Sequence, residues 1–310
     1  MKKKWLLTGG AVGISGVIML ATGLTAFAGT SGYEDYKAAL KNTAENMQSI
    51  TVQADAILKD NGSVLSQAQG SLKANLPNEA VSGAVKISGS QGSHIFSLYS
   101  QPDGQVWKSD ASDIYYVKQD IKDKKDQESG TEPKEAVWLS SQEETIMDAL
   151  IGNLKNEFTS TTDKDGAKHI SLQLDNAQIP AVMQALAPVV FKNLSEEKDQ
   201  ESSEDTAVDS KDPEDLIQQN LFDFQAIDMT NGVQIQSIRL NADITPANAL
   251  QHQQLDLTFV GQDEQGASHT LAASLEVQLS AFNATTPESI DLTGKQVQQV
   301  KEDPEHGHHE

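Results

Sequence analysis

The chain of 310 residues contains no cysteine. That excludes disulfides, thiolate nucleophiles, cysteine-based zinc sites and a lipidated N-terminal cysteine. Arginine occurs once, as Arg239. A two-pronged grip on phosphate or carboxylate normally uses arginine, so nucleotide and phosphate chemistry are disfavoured. Basic residues are scarce altogether: 23 stand against 45 acidic ones, a formal charge of −22. Nucleic acid is therefore a poor partner, since its binding rests on Lys and Arg neutralising phosphates. Docking on anionic lipid by charge alone is disfavoured for the same reason. The acidity reads most simply as solubility.

Catalytic signatures are missing too. There is no Gly-x-Ser-x-Gly elbow, no His-Glu-x-x-His and no phosphate-binding loop. His94, His169, His252 and His269 stand alone in strand or turn contexts, and each reads as structural or exposed. Asp163-Lys164-Asp165-Gly166 opens like a calcium loop, but Lys168 and Leu174 occupy the positions that need Gly and Glu. It reads as a hairpin turn. The expectation is a protein that is not an enzyme, with no cofactor and no metal site.

What is present begins with a leader. Met1–Lys4 is basic, Trp5–Leu24 is apolar and uncharged, and Ala26-Phe27-Ala28 offers a small-x-small cleavage site before Gly29. This is the layout of a secretory signal peptide over residues 1–28. The competing reading is an uncleaved membrane anchor through residues 5–24. Both put the rest of the chain outside the cytoplasm, secreted or tethered to the outer face of the cytoplasmic membrane.

From Ser49 to Gln119 apolar and polar residues alternate between turn signals, the pattern of an antiparallel meander. Val52, Ala54, Ala56 and Leu58 share one face of a first strand, and Asp60-Asn61-Gly62 supplies a tight hairpin. The next strand puts Val64, Ser66, Ala68, Gly70, Leu72 and Ala74 on one face, small in its middle. That face predicts either a bulky cover or a hollow. The alternation returns from Gly232 to Ala281. One sheet containing both blocks is expected, because each alone would leave its apolar face short of cover.

Helices are expected to supply that cover. Tyr33, Tyr36, Leu40, Thr43 and Met47 form a stripe on a helix over about 32–48, and the stripe reads as core. Ile146, Met147, Leu150, Ile151, Leu154 and Phe158 make a second helical face. A third helix is expected over Ala177–Leu194, with Pro180 in its first turn and a kink at Pro188. Ser195–Asp215 holds ten acidic residues and two Lys, and it reads as a disordered insertion in a domain spanning residues 29–295. Residues 296–310 read as a polar tail, a frayed terminus in preference to the weak metal site that His306, His308 and His309 could form.

The order of helix Tyr33–Met47, strand Thr51–Lys59, meander, Ile179-Pro180 helix and further strands resembles the bacterial lipoprotein-carrier superfamily, the LolA/LppX-like half-barrels. Ile290-Asp291-Leu292-Thr293-Gly294-Lys295 also looks like the tail of envelope proteins from Gram-positive bacteria. The resemblance implies an α+β fold: a curved, mostly antiparallel half-barrel covered by helices, whose cavity holds acyl chains. The acidic insertion and the missing lipid-anchor cysteine depart from it, and no functional residue carries over. The resulting expectation is a non-catalytic envelope protein binding a lipid or lipidated peptide. Val64, Ala68, Gly70, Leu72, Met183 and Leu186 are the candidate ligand-lining residues. The alternative is a membrane-anchored interaction or sensor module, with an envelope protein as its partner. A hydrolase with an unusual site ranks last.

Overall fold

A computed structural model describes residues 31–90, 92–102, 104–118, 152–188, 229 and 231–300. Both β-rich blocks enter one twelve-stranded, open, curved sheet. Its strands are β1 (Ser49–Asp60), β2 (Ser63–Asn75), β3 (Ala80–Gly89), β4 (Gly92–Gln101), β5 (Gly104–Ser109) and β6 (Ile114–Lys118), then β7 (Thr159–Thr162), β8 (Lys168–Asp175), β9 (Asn231–Ile244), β10 (Leu250–Gln262), β11 (Ser268–Ser280) and β12 (Gln296–Gln299). The spatial order is β12-β6-β5-β4-β3-β2-β1-β11-β10-β9-β8-β7. Every pairing is antiparallel except β12 on β6. The blocks join where β1 lies against β11, from Thr51 opposite Ser280 to Asp60 opposite Leu271.

Short turns make this possible. Asn61 and Gly62 both take positive φ, 49° and 84°, as a two-residue hairpin with matched twist requires. Three other hairpins share one turn: Asp163 to Ala167, Thr245 to Ala249 and Asp263 to Ala267. In each, the first residue's N–H donates to the fifth residue's carbonyl, at 2.8, 2.8 and 3.0 Å. The fourth residue, Gly166, Asn248 or Gly266, holds positive φ.

The expectation of a helix-covered α+β half-barrel is corrected. The described residues are mostly strand, with only two short helices: α1 (Ser31–Asn46) and α2 (181–188). α1 matches its predicted stripe. Tyr33, Tyr36 and Leu40 are buried with Thr43, against β7 to β10 at one end of the sheet. Of the third predicted helix, 181–188 forms as α2 and its first residues do not, while 189–194 lies outside the described residues. Asn176–Gln178 forms a single tight turn, and Ile179 is extended at ψ 122°. A residue before proline is pushed out of the helical region by the ring, so α2 begins only after Pro180. Of the second predicted helix, Gly152–Glu157 is a 3-10 turn. Its earlier part lies outside the described residues, as do residues 1–28, the acidic insertion at 195–215 and the tail histidines.

A strap after β11 replaces part of the missing cover along the strand ends. Asn283 Oδ1 accepts the Gln48 N–H at 2.7 Å, and the Thr285 N–H donates to Ser49 Oγ at 3.0 Å. The Glu288 N–H reaches Ser82 Oγ at 2.8 Å, and the Ile290 N–H reaches Gln101 Oε1 at 3.0 Å. The chain thus crosses β1, β3 and β4 before joining β6 as β12.

Candidate ligand-binding face

The face that carries α1 is apolar along its length but unevenly covered. Beneath and beside α1 it is closed. Ile170, Leu174 and Ile244 are each 2 % exposed or less. Tyr33 meets Phe158 edge-on at 5.4 Å, and Tyr36 stacks on the same ring at 6.2 Å. The Tyr36 hydroxyl donates to Gln253 Oε1 inside this contact. Burial there pushes the phenol pKa far up, since the charged form would lose its water. Thr43 Oγ1 donates to the Ala39 carbonyl at 2.7 Å and accepts the Leu250 N–H at 2.8 Å. Lys168 Nζ and Ser160 Oγ both reach the Asp35 carboxylate, at 2.5 and 2.9 Å, and fasten α1 to the edge hairpin.

Towards the middle of the sheet the cover thins. One cross-strand row runs Leu240, Leu255, Leu275, Ala56, Ala68, Ile87. The row beside it runs Ala242, Gln253, Val277, Ala54, Gly70, Val85, Phe96. Leu255, Leu275, Ala54, Ala56, Ala68, Gly70 and Val85 are only half-buried. The floor of this stretch is small: alanines 54, 56, 68 and 273 with Gly70, between Leu255, Leu257 and Phe259 on one side and Val85, Ile87 and Phe96 on the other. The three atoms nearest to a Cβ built on Gly70 all belong to β3, the closest being the Ala84 carbonyl oxygen at 3.4 Å. The result is an apolar hollow on the sheet.

The structure unites only some of the candidate residues. Ala68, Gly70 and Leu72 share the apolar face of β2. Val64 lies on the opposite face and is 59 % exposed. The cause is a bulge: Ser66 pairs with Leu58 and Val64 with Lys59, leaving Leu65 as the extra residue. One inserted residue sends the following side chains to the other side. Met183 packs on the core, but Leu186 is 46 % exposed. Beside α2, Leu154, Ile179, Pro180 and Gln184 line a separate open hollow of about 710 Å³. Sequence reasoning missed the half of the floor that β1, β10 and β11 supply. Their alternation was legible, but which strands would be neighbours was not.

It also missed the company the histidines keep. On the polar face, His169 Nδ1 lies 2.7 Å from Asp243 and its Nε2 3.0 Å from Asp163. His252 Nδ1 lies 3.1 Å from Asp243, and its Nε2 3.1 Å from Glu276. At the other end of the sheet His269 Nδ1 is 2.8 Å from Asp60, with Asp263 at 3.6 Å from Nε2. Hydrogen bonds to Asp163 and Asp243 raise the His169 pKa above 6.5. The Asp60 hydrogen bond does the same for His269. The Ala267 N–H, reinforced by His269, lowers the pKa of Asp263. No group of three or more His, Asp or Glu side chains among the described residues is placed to hold a metal ion.

No protein-family model matches this chain, and no curated protein matches it. One solved structure that it resembles is a DUF1329 family protein from Desulfovibrio piger ATCC 29098. The two share 9 % identity over 81 % of this chain and 92 % of that one, with a TM-score of 0.19. Among the described residues no helix is long and apolar enough to cross a membrane.

Proposed function

We propose that this chain is a non-catalytic extracytoplasmic envelope protein that binds an apolar ligand, a lipid or lipidated peptide, through an acyl chain laid in the hollow. The observation that carries the reading is the half-buried floor of alanines 54, 56, 68 and 273 with Gly70 between walls of larger apolar side chains. Binding sites for such ligands are concave and apolar, with few polar groups. A fully packed core would bury these residues as completely as it buries Ile170 and Leu174. The basic, apolar and small-residue zones of residues 1–28 support export. The ligand-lining set becomes Ala54, Ala56, Ala68, Gly70, Leu72 and Leu255, with Met183 at the margin and Val64 outside it.

The test is native mass spectrometry of the full-length chain isolated from a bacterial host, before and after organic extraction. A discrete added mass that leaves on extraction, and is regained from fatty acid or phospholipid, supports the proposal. Ala68→Phe would fill the floor and reduce uptake at least tenfold while the protein still folds. A clean mass with no uptake of fluorescent fatty acid overturns it. So does uptake that Ala68→Phe leaves unchanged.

A further inference from the structure

Five side chains form an unbroken line across the polar face at one end of the sheet: Asp163, His169, Asp243, His252 and Glu276. They come from the β7–β8 turn and from β8, β9, β10 and β11 in spatial order. Carboxylates and imidazoles alternate, at 3.0, 2.7, 3.1 and 3.1 Å. The stereochemistry sets a condition. Each ring has a carboxylate oxygen at both nitrogens, and ionised carboxylates only accept hydrogen bonds. A neutral imidazole has one N–H and leaves one of its two carboxylates facing a lone pair. All four contacts are hydrogen bonds only when both rings carry two N–H groups.

We infer that this line makes His169 a proton-dependent latch on the edge hairpin β7–β8, clamping the β7–β8 turn through Asp163 and tying β8 to β9 through Asp243, closed when the His169 imidazole is protonated and opening first at the turn, between His169 and Asp163, when it is not. The opening point follows from position. Asp163 is the end of the line and more than half exposed, and its contact with His169 is longer than the Asp243 contact. Asp243 keeps His252 as a second partner.

The surrounding charges agree. Lys164 and Asp165 lie in the same turn as Asp163, where they offset each other. On β9, Arg239 lies two same-face positions from Asp243, directly opposite Asp256 of β10. On β1, Asp55 stands opposite Glu276 and takes its hydrogen bonds from Gln67 and Gln69. Neutral Thr161, Ser171, Asn241, Gln254 and Gln278 fill the other facing positions. With neutral rings this strip therefore carries an excess of negative charge, so proton loss adds repulsion to the lost hydrogen bonds. On the apolar face the hairpin is held separately, by Lys168 and Ser160 on Asp35. Opening the latch thus loosens the hairpin without releasing α1.

Hydrogen–deuterium exchange of the full chain, at pH 5.5 and 8.5 and corrected for intrinsic rates, tests this. Amides of residues 159–170 should lose at least tenfold in protection at the higher pH, while those of β1 and β2 stay within twofold. Glutamine does not titrate, so H169Q should abolish the pH dependence of the hairpin. Histidine NMR of the unmodified chain is the second readout. The midpoint of His169 should coincide with that of the β7–β8 amide shifts. Protection independent of pH, a pH dependence that survives in H169Q, or separate midpoints would overturn the latch.

Discussion

The side-chain amide of Gln184 holds both backbone polar groups of Ile235: its Nε2 donates to the Ile235 carbonyl at 2.7 Å, and its Oε1 accepts the Ile235 N–H at 2.8 Å. β8 stops opposite Ser237. Beyond that point β9 would present an unpaired edge, and one glutamine of α2 stands in for the missing strand. Asn176 Nδ2 adds a second donor to the same carbonyl at 3.2 Å.

Gln184→Leu removes this substitute and leaves a backbone donor without a partner. The cost should be about 1–3 kcal/mol, the usual penalty for stranding a buried polar group. Urea unfolding of the variant measures it. Gln184→Glu should do nearly as badly, because a carboxylate cannot donate to the carbonyl. Unchanged stability in both would mean that water replaces the amide at no cost.

Tyr36 and Gln253 make the corresponding bond at the other end of the core, 217 residues apart in sequence. Tyr36→Phe keeps the stack on Phe158 but strands the Gln253 carbonyl oxygen, at about 1–3 kcal/mol. Adding Gln253→Leu removes the stranded atom. The double variant should therefore be more stable than Tyr36→Phe alone. Denaturant midpoints of the three variants close the cycle, and simple additivity would count against the bond.

Gly32 is set by contact rather than by backbone angle. A Cβ there would lie 2.8 Å from the Phe158 backbone carbonyl, too close for any real pair. Gly32→Ala should push the start of α1 away from β7, at about 1–3 kcal/mol for the overpacking. Thermal unfolding checks this. Ala39→Gly in the same helix serves as a comparison that removes a methyl instead.

Much of the sheet was legible because alternation survives translation into structure: Ala54, Ala56 and Leu58 do share a face, and the Asn61-Gly62 hairpin is where the residue types require it. Three things were not legible, each for a physical reason. The bulge at Leu65 leaves no mark in composition, since Val64-Leu65-Ser66 reads equally well as regular strand. The start of the helix expected over Ala177–Leu194 was placed too early because its apolar spacing outweighed the penalty that Pro180 imposes on Ile179. The imidazole–carboxylate contacts join residues from 6 to 209 apart, and it is the pairing register of the strands that decides which of them meet. The lining of the hollow was half legible for the same reason: β2 was read correctly from Ser66 onward, but its neighbour β1 and the next strand β11 come from opposite ends of the chain.

The bulge yields its own prediction. Val64→Ser should change stability by no more than about 0.5 kcal/mol, as for exposed sites without special contacts. Leu72→Ser, on the apolar face, should cost about 2–4 kcal/mol through lost burial and a new hydroxyl. Deleting Leu65 would remove the extra residue and leave Val64 next to Ser66, still opposite Lys59 on the polar face. The deletion should therefore leave both ligand uptake and the antiparallel circular-dichroism signature intact. Equal sensitivity of Val64→Ser and Leu72→Ser would place Val64 on the apolar face after all.

The cluster at the tips of the β1–β2 and β10–β11 hairpins gives a pH dependence of two signs. His269 has its folded pKa raised by Asp60, so the protonated ring favours folding. Its contribution is complete below 6.5, the unfolded value, and fades as pH rises through the raised folded value. Asp263 has its folded pKa lowered, chiefly by the Ala267 N–H. Its contribution is complete above 3.8 and fades as pH falls through the lowered folded value. Between the two windows both groups support the hairpin tips, so stability from this cluster should peak in mildly acidic solution. Thermal midpoints measured from pH 3 to 9 should show that maximum. His269→Gln should flatten the alkaline side and spare much of the acid side. Asp263→Asn should flatten the acid side, and also weaken the alkaline side by removing one of the two carboxylates that hold the ring charged. A His269→Gln profile that still declines on the alkaline side in parallel with the unmodified chain would assign that decline to other groups, the His169 line first among them.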